Sequence, residues 1–323
     1  GADAVKFQTF KSENLASRFA DKAKYQRKTT KINETQLEML KSLELKENEY
    51  FKLKDYCKFK KIDFITTAFD QDSLLFITKK LKVKILKIPS GEITNGPLLL
   101  DHGMTGLDII LSTGMASIKE IKEALEVIIY GYLNKNKKNI RPSKKLFKKA
   151  LESKRGQNLL KQKITILHCT TEYPAPIDDI NLNAILDISK NFNANVGYSD
   201  HSTGELVSLA AASMGVKLIE KHFTLNKNMN GPDHRASLNP LELKKLIKKI
   251  RSVERIKGLT IKKAYKSEKK NIPIVRKSLI ASKEIKSGKL FSKDNITAKR
   301  PGSGISPMHY WRYIGVKADK SYK

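Results

Sequence analysis

Three bursts of reactive side chains lie close together in this sequence: Tyr198-Ser199-Asp200-His201, Glu220-Lys221-His222-Phe223 and Gly231-Pro232-Asp233-His234. His201 and His222 stand 21 residues apart, the span of one helix plus one strand, and each closes an apolar run. Adjacent parallel strands lie about 4.8 Å apart. Imidazoles at equivalent strand ends can therefore share one divalent ion. Two histidines alone are more simply read as unrelated polar strand ends. The case for a site comes from earlier apolar runs that end the same way. They close on Lys6-Phe7-Gln8, Thr66-Thr67-Ala68-Phe69, Lys87-Ile88-Pro89-Ser90-Gly91-Glu92, Ser112-Thr113-Gly114-Met115 and His168-Cys169-Thr170-Thr171-Glu172-Tyr173.

The elements that must position these residues alternate. Strands are expected at 4–9, 63–68, 85–88, 108–112, 164–168, 194–198 and 217–220. Helical patterns fill 37–60, 72–81, 117–130, 182–190, 204–214 and 241–256. Ser117 and Glu120 have the spacing of a capping box. Regular βα alternation predicts an α/β fold with a parallel sheet. Every strand carries chemistry at its C-terminal end, as in a (β/α)8 TIM barrel. A Rossmann sheet would gather its chemistry at one crevice, and no Gly-x-Gly-x-x-Gly follows a strand. The chain opens at Gly1, without Met, almost directly on a strand. The expectation is a barrel domain over 1–256 that lacks its first strand through an N-terminal truncation.

Residues 131–163 break the rhythm as a basic, partly helical insertion, read as a solvated excursion. A charged linker follows over 257–271. A small β-rich domain over 272–323 is expected to open with a strand at 275–281 and to stop short of completion.

The formal net charge is +30, with 53 Lys against 10 Arg. Lysines interleave with apolar residues at helical spacing, as in 243–250, which describes solvated helix faces. No zinc-finger spacing or aromatic RNA-binding motif is present, so no nucleic-acid partner is expected. Two distant cysteines, no signal-peptide pattern and no long apolar run point to a cytoplasmic protein without membrane attachment.

The ordered motifs resemble the sialic acid (N-acetylneuraminate) synthase family of bacterial type. The resemblance runs through Lys6-Phe7-Gln8-Thr9, Lys87-Ile88-Pro89-Ser90-Gly91-Glu92, Leu111-Ser112-Thr113-Gly114-Met115 and 169–176. It continues in Tyr198-Ser199-Asp200-His201, Glu220-Lys221-His222-Phe223-Thr224 and 231–238, and the tail resembles its SAF (antifreeze-like) domain. The resemblance implies condensation of phosphoenolpyruvate with an N-acetylated hexosamine and water. N-acetylmannosamine giving N-acetylneuraminate is the first reading. A 2,4-diacetamido hexose giving legionaminate is the second. A truncated, inactive barrel serving as a binding or dimerisation module is the remaining one. It also implies a domain-swapped homodimer in which Arg300 reaches the partner's sugar site. The family's first strand carries a glutamate that contacts the sugar, and that stretch would precede Gly1.

On this resemblance His201 and His222 match the ligands of a divalent metal, Mn2+ first, with Mg2+ or Co2+ as alternatives. The ion would polarise the sugar aldehyde. Lys6 and Lys87 can meet the phosphate or carboxylate of phosphoenolpyruvate. Ser90, Ser112 and Ser199 offer hydroxyls, and Thr67 and Thr171 add others. Gln8, Tyr173, Glu92 and Asp233 are candidates for the sugar and for proton movement. Cys169 reads as packing, and His102, His168, His234 and His309 read as structural.

Overall fold

The computed structural model describes residues 1–30, 34–137 and 139–323. They form two units, 1–257 and 258–323.

Short runs rich in Ile, Leu, Val and Thr make the strands of the first unit, as residues that fit a pleated, buried surface. They are β1 (Ala4–Thr9), β2 (Asp63–Ala68), β3 (Ile85–Ile88), β4 (Asp108–Ser112), β5 (Ile164–His168), β6 (Asn195–Asp200) and β7 (Ile219–Lys221). All pair in parallel and in chain order. In a flat sheet, six spacings would set β1 and β7 about 29 Å apart. Yet Lys6 on β1 and Glu220 on β7 form an ion pair at 2.9 Å. The sheet is therefore curled in the manner of a TIM barrel, with the ring open between β7 and β1.

Period-2 alternation sorts the strand residues into two sets. Leu86, Ile88, Ile109, Leu111, Ile164, Ile166, Val196 and Tyr198 face outward into the main hydrophobic core beneath the helices. The inward set begins with an apolar cluster of Ile65, Ile110 and Leu167, joined by Ala4, Ile85 and Leu218. Two residues further along each strand come Lys6, Thr67, Lys87, Ser112, Cys169, Ser199 and Glu220. The apolar cluster is the floor on which the polar layer stands.

Several expectations need correction. The helix expected at 37–60 is two, Gln36–Leu43 and Glu47–Lys60. Glu44 leaves the helix to accept from the Ser12 amide (2.9 Å) and hydroxyl (2.6 Å), and Glu49 caps the next helix at the Lys46 amide (2.7 Å). The helix expected at 72–81 is α-helical only over Gln71–Leu75 and widens to a π-helix at Phe76–Lys80. β6 begins and ends later than expected, and so does β7.

The solvated excursion at 131–163 is the largest correction, with residue 138 outside the described residues. Residues 131–134 complete the helix Ile118–Asn134, which Ser117 and Glu120 cap as expected. Gly131 and Gly103 let this helix press on its neighbour, Gly96–Thr105. A Cβ on Gly103 would lie 2.3 Å from the Ile128 carbonyl oxygen. Two further helices, Lys144–Glu152 and Lys154–Lys163, then cover it. Their lysines face water, while Ala150, Leu151 and Leu160 join the core. Phe147 meets Tyr130 edge to face at 5.1 Å.

In the second unit, the strand expected at 275–281 is shorter. A helical turn, Ile272–Val275, precedes β8 (Ser278–Ala281), which pairs antiparallel with β9 (Ile296–Lys299). Ile285, Ile296 and Ala318 form its own small core. Among the described residues no helix is long and apolar enough to cross a membrane.

If the 144–163 helices belong to the barrel core, Leu160→Ala should cost about 2–5 kcal/mol, the usual range for a buried leucine. Urea denaturation measures this. A loss below about 0.5 kcal/mol, the surface range, would return the segment to a solvated excursion.

Candidate active site

The polar layer centres on one carboxylate. Glu220 Oε1 lies 2.9 Å from Lys6 Nζ and 3.8 Å from Lys87 Nζ, and accepts from Ser199 Oγ at 2.8 Å. Burial raises the pKa of this carboxyl. The Lys6 and Lys87 ammoniums and the Lys6 and Ser199 hydrogen bonds outweigh that and hold it well below the carboxylate range. Lys87 is fully enclosed and donates to Ser112 Oγ (2.7 Å) and to the Ile88 carbonyl (3.2 Å). Burial pushes its pKa down to about 8, against the pull of Glu220 and with the repulsion of Lys6. Two ammoniums share one carboxylate, so the layer carries a surplus positive charge. Such a place favours a compact anion.

One step further toward the strand ends stands an aromatic run. Tyr25 and Tyr173 lie 5.1 Å apart between ring centroids, Tyr173 and His201 4.1 Å, and His201 and His222 5.4 Å. His201 Nδ1 is 2.6 Å from the Thr170 carbonyl oxygen, so Nδ1 carries the proton and Nε2 keeps its lone pair. Ser199 Oγ lies 3.3 Å from that Nε2. His222 Nδ1 sits 3.4 Å from Asp233 Oδ2. Burial lowers the His201 pKa to about 4, opposed by the Thr170 carbonyl and Glu220. Burial, Lys6 and His201 lower that of His222 to about 3. Both imidazoles are thus neutral, the form that ligates metals. Among the described residues no group of three or more His, Cys, Asp or Glu is arranged to hold an ion. The donor set fits an ion that takes two protein ligands and fills its other positions with substrate and water.

These groups line one cavity of about 540 Å³. Of the residues singled out in the sequence, Lys6, Gln8, Thr67, Lys87, Ser90, Glu92, Ser112, Thr171, Tyr173, Ser199, His201, His222 and Asp233 all face it. Ser90 and Thr171 come within 3.4 Å of each other over Gly114, whose φ is +49°. A Cβ at Gly114 would lie 2.4 Å from Thr171 Oγ1 and 2.5 Å from Ser90 Cβ, so only glycine fits. Cys169 is buried beneath this turn and accepts from the Gly114 amide at 3.2 Å. Glu92 Oε2 accepts from Asn95 Nδ2 at 2.7 Å. Burial raises the Asp233 pKa, opposed by Lys6 and His234.

Arg300 belongs to the C-terminal unit, where its Nε donates to the Val275 carbonyl at 2.9 Å. His102, His168 and His234 bond to the Leu98 carbonyl, the Ile180 carbonyl and Thr224 Oγ1 respectively. Two site residues escaped the sequence reading. Glu220 lies on β7 two residues before His222, so extending the strand's period-2 rule by one residue would have placed both inside the ring. Tyr25 lies in a long connection, and nothing in the local pattern marks it.

Comparison with known proteins agrees with this geometry. The NeuB family profile matches residues 1–262, and a SAF domain profile matches 276–321. The chain belongs to the NeuB family. It is 48% identical to the N,N'-diacetyllegionaminic acid synthase of Campylobacter jejuni over all of this chain and 89% of that one. It is 38% identical to the enzyme of the same name from Legionella pneumophila, over 98% of this chain and 82% of that one. A crystal structure of N-acetylneuraminic acid (sialic acid) synthetase from Leptospira borgpetersenii superposes with TM-score 0.65 at 31% identity. It covers 84% of this chain and 80% of that one. These relatives are nonulosonic acid synthases.

Removing the central carboxylate leaves the buried Lys87 ammonium facing the partly buried one of Lys6. Glu220→Gln should therefore cost about 3 kcal/mol of stability near neutral pH. The folded-state pKa of Glu220 is depressed, so its contribution is complete above the unfolded value. It fades as pH falls below about 4. The gap between wild type and variant in urea denaturation should narrow over that acid range. Equal stabilities at pH 7 would show that Glu220 does not organise the layer.

Proposed function

We propose that this chain condenses phosphoenolpyruvate with a 2,4-diacetamido hexose and water, giving N,N'-diacetyllegionaminate and phosphate. It would act as a transferase forming a C–C bond. The observation that carries the substrate choice is the end-to-end 48% identity to a diacetyllegionaminic acid synthase. The solved N-acetylneuraminic acid synthetase stands at 31%. The N-acetylmannosamine reading that the motifs favoured therefore becomes the second one.

The residues support the chemistry as follows. Lys6 and Lys87, relieved of part of their mutual repulsion by Glu220, hold the anionic ends of phosphoenolpyruvate, with Ser112 and Ser199 donating beside them. Ser90, Thr67 and Thr171 frame the same molecule. Its C3 attacks the sugar aldehyde, and the aldehyde oxygen takes up a proton. Asp233, which lines the cavity beside His222, is suited to give that proton. The cation left at C2 adds water. Glu92 takes the proton from that water, and the tetrahedral intermediate then expels phosphate. Gln8 and Tyr173 orient the sugar. A divalent metal held by His201 and His222, Mn2+ first, would supply Lewis-acid polarisation of the aldehyde.

A panel of N-acetylated hexosamines, scored by phosphate release, tests the reading. The diacetamido sugar should give the highest kcat/KM. A chelator should abolish turnover, and Mn2+ should restore it. A preference for N-acetylmannosamine would hand the case to the second reading. Unchanged rates in chelator would remove the metal. No turnover of any sugar would favour the binding or dimerisation module.

We also propose that the chain acts as a homodimer in which Arg300 of one copy serves the sugar bound in the other. A guanidinium can meet an acyl oxygen with two donors, which lysine cannot. Mixing Arg300→Ala with His222→Ala protein should then restore activity that neither has alone, since one site per heterodimer would be intact. Subunit exchange without recovery would overturn the trans assignment.

A further inference from the structure

The cavity has a second wall whose chemistry differs from the charged layer. Phe10 follows β1, Phe69 follows β2, Leu15 and Ala16 lie just beyond Phe10, and Met39 and Leu40 belong to the helix Gln36–Leu43. These six form a hydrophobic cluster of their own, separate from the barrel core. All six line the cavity. Phe10 and Phe69 meet edge to face at 6.0 Å.

Carboxylates fix this wall in place. The Lys11 amide donates to Asp70 Oδ2 at 3.0 Å, and Asp70 also accepts from the Ser73 amide (2.9 Å) and hydroxyl (2.7 Å). Glu44 Oε2 holds the Ser12 amide and hydroxyl at 2.9 and 2.6 Å. The Phe69 amide donates to the Thr9 carbonyl at 3.2 Å. The segment after β1 is thus tied both to the end of β2 and to the end of the 36–43 helix. A wall held this way is preorganised for its ligand.

Apart from the weakly accepting sulfur of Met39, none of the six side chains can bond a hydroxyl. A sugar hydroxyl pressed against them gives up water without replacement, whereas a methyl group gains by leaving water. N-acetylmannosamine has one acetamido group and otherwise hydroxyls. A diacetamido sugar brings a second acetyl methyl.

We propose that this apolar wall receives the methyl end of the second acetamido group and so selects the diacetamido sugar over a mono-acetamido one. The inference rests on the diacetamido reading of the substrate given above. Tyr25, which lines the same cavity and packs on Tyr173, is placed to meet the polar atoms of that group.

The test measures kcat/KM of the full chain for the diacetamido hexose and for N-acetylmannosamine, in wild type, Leu15→Asn and Leu40→Ala. Leu15 is only half-buried, so its variant decides the matter if Leu40→Ala fails to fold. One apolar contact in a pocket is worth about 10–200-fold in discrimination, so the ratio of the two values should fall at least about tenfold. The KM for phosphoenolpyruvate should stay within about twofold, because the contact is made to the sugar alone. A folded Leu15→Asn protein that keeps the wild-type ratio, or slows both sugars equally, would overturn the wall's role while leaving the substrate reading intact. A wild type that shows no preference for the diacetamido sugar would instead defeat the substrate reading, and this inference with it.

Discussion

The ion triplet of Lys6, Glu220 and Lys87 is the constraint on which the first unit depends. It joins the first and last strands of the sheet, whose pairing ladder runs the long way round. It also sets the charge of the cavity. A carboxylate facing one lysine would be neutral overall. Facing two, it lets both stay close while leaving positive charge for a ligand. The Ser199 and Ser112 hydroxyls complete the bonding of Glu220 and Lys87. Without such completion, buried ions would be unstable here.

The layer can exist only because of what lies below and around it. The apolar cluster of Ile65, Ile110 and Leu167 closes the ring on the side away from the cavity. Outward residues of the same strands anchor the ring to its helices. Each strand therefore does two jobs by alternation. One parity supplies stability, and the other supplies first the floor and then the chemistry. Asp200 shows the same economy. It is fully buried, pairs with Lys221 at 3.0 Å and accepts from Ser202 and Ser208, which fixes the outward side of β6 and β7 at the level of the histidines.

The outer walls of the cavity come from segments outside the ring. The excursion between β1 and β2 carries Tyr25 and the apolar wall. The turn at Gly114 brings Ser90 and Thr171 together. Loops on a rigid scaffold are where specificity varies most easily. The charged layer sits deeper, on strands whose neighbours fix every side chain.

Much of this was legible from residue order alone. Apolar runs ending in polar bursts, alternating with helical patterns, placed the strands, the parallel sheet and the end at which the site lies. Five of the strand expectations match the observed bounds. Ser117 and Glu120 marked a helix start because capping is local chemistry. Residue type and spacing also brought the two histidines under suspicion, and the family resemblance added the two lysines and Asp233. Other features needed the folded chain. Glu220 became the hub only when curling brought β1 and β3 to β7, and no local pattern encodes that distance. The 144–163 helices read as solvated because their lysines dominate the composition, yet Ala150, Leu151, Gly156 and Leu160 are buried. The break at Glu44 depends on a serine 32 residues away. Secondary structure and strand-end chemistry follow from neighbours in sequence. The shared carboxylate, the neutral histidines and the apolar wall follow from neighbours in space, where burial and charge act together.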